Sequence, residues 1–516
     1  MNTRITQAVA TAVALGATAG AYAVDMSTVA AGSIVYVSGS TAIDPGLQAY
    51  FTNTTAGLCG SAIDVYAGTQ AGVKFTAVAC TGGANAGGNS GKAIAYIKED
   101  NAGSLNGITP VNNATAIAFP NAALMTSANC GAASPHTCGT NVTAVNVMPN
   151  YGFADVNAEL FASAGLAAPT GNLTENNSVD TAFGLAASLG FYHALQQLQL
   201  GLTGTNADDA ENHMPSLTKG QIYTLLVNSA AFLPPSFIVN TAATTNAGAT
   251  LEVFGSSSGA SFCGTAATCA TSDATQVYTC VRGQSSGTMQ TSQAYFGKID
   301  CAQGVTKFNP PTIASCATDG CSWATTNNTN ASFAGNGTGD VLSCLQGHDA
   351  VGHFAIGIVG LENPWGADQT NTSRRDWRFI KINDTVPSLE NIASDRYDYW
   401  AQSAGYAPNA GRPNVAGGVA GVTAGLLSKV GPAAVIQALN SGITHTVAPP
   451  FHNGFLAIPS VGTNVPNASN VTNAGFLNNP VNSFTRGLPS NNCQSPTLDV
   501  TAPDSSVYPT WETTQP

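Results

Sequence analysis

Val277-Tyr278-Thr279-Cys280-Val281-Arg282-Gly283-Gln284-Ser285-Ser286-Gly287-Thr288 decides how the chain folds. Its first half is apolar and β-branched, as in a strand buried on both faces, and its second half is a small, hydroxyl-rich turn that opens a helix. Strand, turn and helix in that order are the repeating step of α/β architecture. The same step suits an anion. Ser286 and Thr288 supply hydroxyls, Gly287 lets the backbone come close, and the first N–H groups of a helix have no partner inside it. Arg282 adds a planar fork of charge-assisted donors. Alone, the stretch reads first as a solvated strand-to-helix turn, because Ser-Gly-Thr turns are common.

Similar steps occur upstream. Residues 34–37 form a buried-strand pattern, followed by Ser38-Gly39-Ser40-Thr41 and a helix over 45–50 that Pro45 opens. Residues 92–97 are strand-like and run into a polar loop, Asn101-Ala102-Gly103-Ser104-Leu105-Asn106-Gly107. The spacing predicts a buried amphipathic helix over 181–200 and another over 218–231 capped by Thr218. Ligands of parallel α/β sheets bind at the carboxyl ends of strands, where these Ser/Thr/Gly turns fall. Residues 81–90, 241–250, 255–271, 324–339 and 464–479 lack periodicity and large apolar residues, and read as surface loops.

The N-terminus carries Arg4, an apolar stretch over 5–21 and the small-x-small site Ala21-Tyr22-Ala23, the pattern of a secretory leader cut after Ala23. No later run reaches the roughly 18 apolar residues of a membrane span, so the expected location is the periplasm or the extracellular space. The 12 cysteines suit that compartment and argue for disulfides, with pairing open. There is no Cys-x-x-Cys for a redox or haem site. Lys and Arg number 16 against 28 Asp and Glu, a net charge of −12. That balance excludes nucleic acid as an expected partner, since phosphate backbones require basic patches. Any small anion must therefore be held by local donors.

Taken in order, the turns resemble those of the phosphate-binding protein of bacterial phosphate importers, a two-lobed periplasmic substrate-binding protein. Gly39-Ser40-Thr41-Ala42-Ile43-Asp44-Pro45 is similar to the family's first turn, 101–107 to its Gly-Ser-Gly loop, and Gly152-Phe153-Ala154-Asp155-Val156 to its Ser-Asp segment. Arg282-x-x-x-Ser286-Gly287-Thr288 keeps the spacing of the family's Arg-x-Asp-Gly-Ser-Gly-Thr. Pro215 to Ile222 and Ile382 to Pro387, with Tyr399-Trp400 beyond, also match, with Asp384 where a glycine stands in the family.

The resemblance implies an α/β fold of two lobes with mixed, mostly parallel sheets and disulfide-stapled, loop-rich insertions. Lobe one would span 24–170, lobe two 171–360, and 361–516 would return to lobe one and add a C-terminal extension. It implies a tetrahedral oxyanion as ligand, phosphate first, delivered to an ABC permease, with no catalysis, cofactor or metal. The implied ligand set is Thr41, Ala42, Ser104, Asp155, Arg282, Ser286, Gly287 and Thr288. Gln284 departs from the family, where an acid stands two residues after the arginine and accepts a proton from the bound oxyanion; its amide can accept through the oxygen or turn a donor inward, which leaves discrimination among oxyanions open.

Blander roles stand beside these. The hydroxyls could cap helices, Arg282 could pair with a surface acid, and Asp155 could cap a helix over 156–164. His348, Asp349 and His353 have no recognised metal-ligand spacing. Gly283-Gln284-Ser285-Ser286-Gly287 fits the nucleophile-elbow pattern, which would make Ser285 a nucleophile with His348 or His445 as base. A structural or surface protein reusing this fold is the other alternative, suggested by the long insertions and the cysteines.

Overall fold

The computed structural model describes residues 24–70, 73–100, 103–202, 210–227, 277–297, 308, 332–350, 354–363, 377–442, 454–459, 464–466, 478–487 and 491–498. The leader, the stretches 241–250 and 255–271, and His353 and His445 lie outside them. Among the described residues no helix is long and apolar enough to cross a membrane.

The strands in chain order are β1 (Ile34–Gly39), β2 (Cys59–Gln70), β3 (Val73–Gly82), β4 (Ala93–Glu99), β5 (Ile117–Pro120), β6 (His136–Cys138), β7 (Ala144–Val147), β8 (Tyr151–Ala154), β9 (Leu173–Ser188), β10 (Ser216–Leu217), β11 (Val277–Arg282), β12 (Ser332–Gly335), β13 (Phe354–Gly360), β14 (Trp377–Ile382), β15 (Trp400–Pro408) and β16 (Phe455–Ala457). Of these, all but the β5/β7 pair join a 14-stranded mixed sheet, whose main path is β12-β11-β13-β9-β15-β8-β1-β4-β3-β2-β6; two further short strands, Phe484–Thr485 and Thr497–Leu498, pair with each other.

The path has two wings. In one, β1 lies parallel between β4 and β8. In the other, β11 lies parallel between β12 and β13. Strand β9 joins them: its residues 183–187 pair antiparallel with β13, and most of its remaining length pairs with β15. The carboxyl ends of β1, β8 and β11 bear the turns singled out in the sequence.

The helices that matter here are α1 (Asp44–Thr52), α2 (Ala158–Ser163), α3 (Leu189–Leu200), α4 (Lys219–Val227), α5 (Gly287–Gly297), α6 (Thr338–Ala350), α7 (Gly418–Leu427) and α8 (Ala433–Gly442). Helix α1 opens on Asp44-Pro45, where the missing proline N–H costs nothing, and buries Leu47, Tyr50 and Phe51. These side chains share a core with Val35 and Val37 of β1 and with Leu427, Val435 and Ile436 of α7 and α8. Helix α4 starts with a reciprocal cap: the Gln221 N–H donates to Thr218 Oγ1 at 3.2 Å, and the Thr218 N–H to Gln221 Oε1 at 2.8 Å.

Helix α5 is polar yet buried, with Thr288, Gln290, Thr291, Ser292 and Gln293 all inside. Its hydroxyls turn back on the helix, Thr291 donating to the Gly287 carbonyl at 2.9 Å and Ser292 to that of Thr288 at 2.6 Å. Ser292 also meets the Tyr399 hydroxyl at 2.6 Å, while the Tyr399 ring stacks on Tyr295 with centroids 4.3 Å apart. Tyr399 thus packs a helix.

Three expectations are corrected. Residues 181–188 are strand, not helix; they lie in the middle of the sheet, buried on both faces, and such a run has no alternation to distinguish it from a buried helix. Helix α3 begins only at Leu189. Within 324–339, read as a loop, Ser332–Gly335 is the edge strand β12 and α6 starts at Thr338. Small residues conceal that strand. Within 81–90, the buried Asn89 donates through its amide to the Val419 carbonyl at 2.8 Å and to Thr423 Oγ1 at 3.0 Å, tying this turn beneath α7.

Disulfides join Cys59 to Cys80, Cys130 to Cys138 and Cys280 to Cys344, and Cys493 is also bonded. The bond from Cys280 ties β11 to α6 just below Arg282. His348 offers a ligand atom within 4.8 Å of both sulfurs. A disulfide has no thiolate to give a metal, and the His348 ring packs on Tyr278 with centroids 4.3 Å apart.

Candidate anion-binding site

The turn after β1 is set by close backbone packing. Gly39 has φ +111° and sits against the Phe153 carbonyl and Gly107, where a Cβ would collide with both. The Ser40 N–H donates to the Phe153 carbonyl at 2.9 Å, which binds this turn to the end of β8. Beneath it lies Lys98, fully buried, with its Nζ 2.7 Å from Asp44 Oδ1, 2.6 Å from Asp100 Oδ1 and 3.2 Å from the Gly39 carbonyl. Burial disfavours the Lys98 charge, but Asp100 and Asp44 outweigh it and hold its pKa above the ordinary lysine value. Asp44 is held well above the usual carboxylate range by burial and then by Asp100, against the pull of Lys98.

Asp155 is the hinge of the site. It is buried and stands two residues before Asn157, the N-cap of α2, so its carboxylate does not cap that helix. Instead it accepts from the hydroxyls of two wings: Ser40 Oγ donates to Oδ1, and Thr288 Oγ1 to Oδ2 at 3.4 Å. Its N–H donates to Ser104 Oγ at 3.1 Å, which leaves the serine's own proton to be donated elsewhere. Gly287, at the start of α5, lies against the same pair. A Cβ there would stand 2.7 Å from Asp155 Cβ and 2.7 Å from Ser104 Oγ. The close approach of α5 to Asp155 requires a residue without a side chain.

Arg282 ends β11 and is buried, 3% exposed. Its Nη2 donates to the Asn336 carbonyl at 2.5 Å and its Nη1 to Thr338 Oγ1 at 3.4 Å, so the guanidinium is anchored to the turn that opens α6. Gly103, at φ +68°, brings the 103–107 turn beside it; a Cβ on that glycine would lie 3.5 Å from Nη2. The Leu105 N–H donates to the Ser285 carbonyl at 3.0 Å, a direct bond between the wings. Val281, Arg282, Thr288, Met289, Ser292, Phe308 and Ile358 line a recess on the α5 side.

The structure therefore gathers Ser104, Asp155, Arg282, Ser286, Gly287 and Thr288 around the N-terminus of α5. Ser286 Oγ and Thr41 Oγ1 are buried without a hydrogen-bond partner among the described residues. Ala42 behaves differently: its N–H, expected to face a ligand, donates to Ser40 Oγ at 3.1 Å. Ser40, absent from the sequence-derived set, is the residue of this turn that reaches Asp155. Gln284 turns away. Its amide donates to the Phe308 carbonyl at 3.1 Å and accepts from Gln290 at 3.4 Å. Another acid, Glu362, lies past the end of β13 with its carboxyl folded against Gly360. A strand over 354–360 followed by an acidic turn was the signal available for it.

No protein-family model matches the chain, and neither does any curated protein. Solved structures do. A protein from Clostridium perfringens described as a phosphate ABC transporter substrate-binding protein, with bound phosphate, is similar at 12% identity and a TM-score of 0.36, over 80% of this chain and 99% of that one. PstS from Borrelia burgdorferi is similar at 11% identity and a TM-score of 0.30, over 82% and 98%. An ABC-type phosphate transport receptor from Vibrio cholerae is similar at 8% identity and a TM-score of 0.30, over 73% and 88%. Likeness this loose transfers no residue roles, and the reading of the site rests on the contacts above.

Proposed function

We propose that this chain is an exported, non-catalytic binding protein for a tetrahedral oxyanion, phosphate first, which the two wings hold between them and which an ABC importer receives. The observation that supports the reading is the meeting of Gly287 with Ser104 and Asp155 across the wings, next to Ser286, whose hydroxyl oxygen is buried and has no partner among the described residues. A buried hydroxyl without a partner is costly, and an oxyanion at the N-terminus of α5 would satisfy that of Ser286 while meeting the helix dipole and Arg282. Asp155 would accept from a protonated ligand oxygen, which favours phosphate over fully ionised sulfate.

The reading makes a calorimetric prediction. Titrating the purified protein with inorganic phosphate is expected to give saturable binding at one ion per chain, with sulfate weaker. Absence of saturable heat with either ion would remove the oxyanion reading.

A further inference from the structure

Glu362 is the titratable group at this site that the ligand set does not use. Strand β13 runs parallel to β11 with Cys280 level with Gly357, so the ends of both strands face the same way and Glu362 follows Arg282 toward the cleft. The two faces of β13 are distinct. Gly357 faces Val341 and Leu345 of α6, whereas Ile358 lines the recess with Thr288, Met289 and Ser292 of α5. Side chains alternate along a strand, so Gly360 faces α5 as Ile358 does. The Glu362 carboxyl occupies the place where a Cβ on Gly360 would stand. It is thereby folded over the end of β13 on the side of the α5 N-terminus.

There the carboxyl is half satisfied. Oε1 accepts from the Asn363 amide at 2.9 Å, and Oε2 is buried with no partner among the described residues. The charged groups acting on it are Asp155, from the turn after β8, and Arg282, at the end of β11. An ionised Glu362 would add to the negative charge of Asp155, against the Arg282 guanidinium among the described residues, at the site proposed for an anion. A neutral carboxyl has a proton to donate and adds no repulsion.

We propose that Glu362 binds the oxyanion as a neutral hydrogen-bond donor through Oε2, so that its proton is a condition of tight binding and alkaline pH releases the ligand. The inference rests on the oxyanion reading of the site. Burial pushes the Glu362 carboxyl up to about 8, with Asp155 adding to the rise and Arg282 opposing it. The group is therefore protonated below that pH and charged above it, and affinity is held below about pH 8 and lost above.

The test compares Kd for inorganic phosphate in wild type, Glu362→Gln and Glu362→Ala at pH 6.5 and 9.5. The ligand's own ionisation affects all three proteins alike and cancels in the ratios. Glutamine keeps a neutral donor at both pH values, so the ratio of its Kd to that of wild type is expected to fall at least tenfold between pH 6.5 and 9.5. Alanine has no donor, and at pH 6.5 it is expected to bind at least tenfold more weakly than glutamine. A ratio that stays constant with pH, or an alanine variant equal to glutamine, would overturn the role of Glu362 while leaving the oxyanion reading in place. Phosphate binding to none of the three at pH 6.5 would overturn both.

Discussion

Replacing Arg282 with alanine is expected to weaken phosphate binding at least a hundredfold, about 2.7 kcal/mol or more. The size follows from burial. An exposed arginine is screened by water and its loss is felt little, whereas Arg282 is 3% exposed and its guanidinium is held between Asn336 and Gly103. Without it an anion at the α5 N-terminus would face Asp155 without the guanidinium. Arg282→Lys should fall between wild type and alanine, because it keeps the charge and loses the fork that spans Asn336 and Thr338. Calorimetry measures both. Equal affinity in wild type and alanine would take Arg282 out of the site.

The second large effect concerns stability. Lys98→Met is expected to cost about 3–5 kcal/mol at pH 7, the penalty for removing one partner from a buried ion cluster. Methionine fills the space of the lysine stem but leaves Asp44 and Asp100 facing each other without a cation, and frees the Gly39 carbonyl that Lys98 holds. The pH dependence has a definite sign. Burial and Asp100 already favour the protonated form of Asp44, and losing Lys98 removes the charge that opposes them, so the deficit relative to wild type should narrow as pH falls from 7 toward 5. Denaturant titration at the two pH values checks it. A variant as stable as wild type at pH 7 would show that the cluster is not needed to hold the turn after β1.

The parts of the site that could be read from sequence are those carried by short, local patterns. A strand ending in Arg282, a turn through Ser286 and Gly287, and a helix opening at Thr288 need no distant partner to be recognised, and neither does the turn at Ser40-Thr41 before Asp44-Pro45. Through-space relations had no such pattern. Ser40 rather than Thr41 reaches Asp155 because Gly39 leaves the strand at φ +111° against Phe153 and Gly107, a contact between segments more than sixty residues apart. Gln284 occupies the place of an acid in the motif, but its amide is taken by Phe308 and Gln290. Glu362 lies in the turn after β13, where no local pattern links it to Arg282.

The same limit explains the errors in the fold. The stretch 181–188 is strand because neighbours on both sides claim its backbone, which its own apolar run does not reveal. Ser332–Gly335 is strand because it pairs with β11 in register from Thr279 to Arg282, although Ser-Phe-Ala-Gly has little strand preference of its own. By contrast Asp384, read as standing where a glycine belongs, does take a glycine-like backbone at φ +62°, as does Asn383 at φ +49°. Asp and Asn tolerate that region better than other side chains, which is why the turn survives the exchange.

The central claim is that an oxyanion sits between the wings at the start of α5. Crystals grown with arsenate, which has the shape and charge of phosphate and scatters anomalously, test it most directly. The account predicts one arsenic peak within hydrogen-bonding reach of Ser286, Thr288 and the Arg282 guanidinium, facing Asp155. Arsenic bound only elsewhere on the molecule, or no peak at a saturating arsenate concentration, would contradict it.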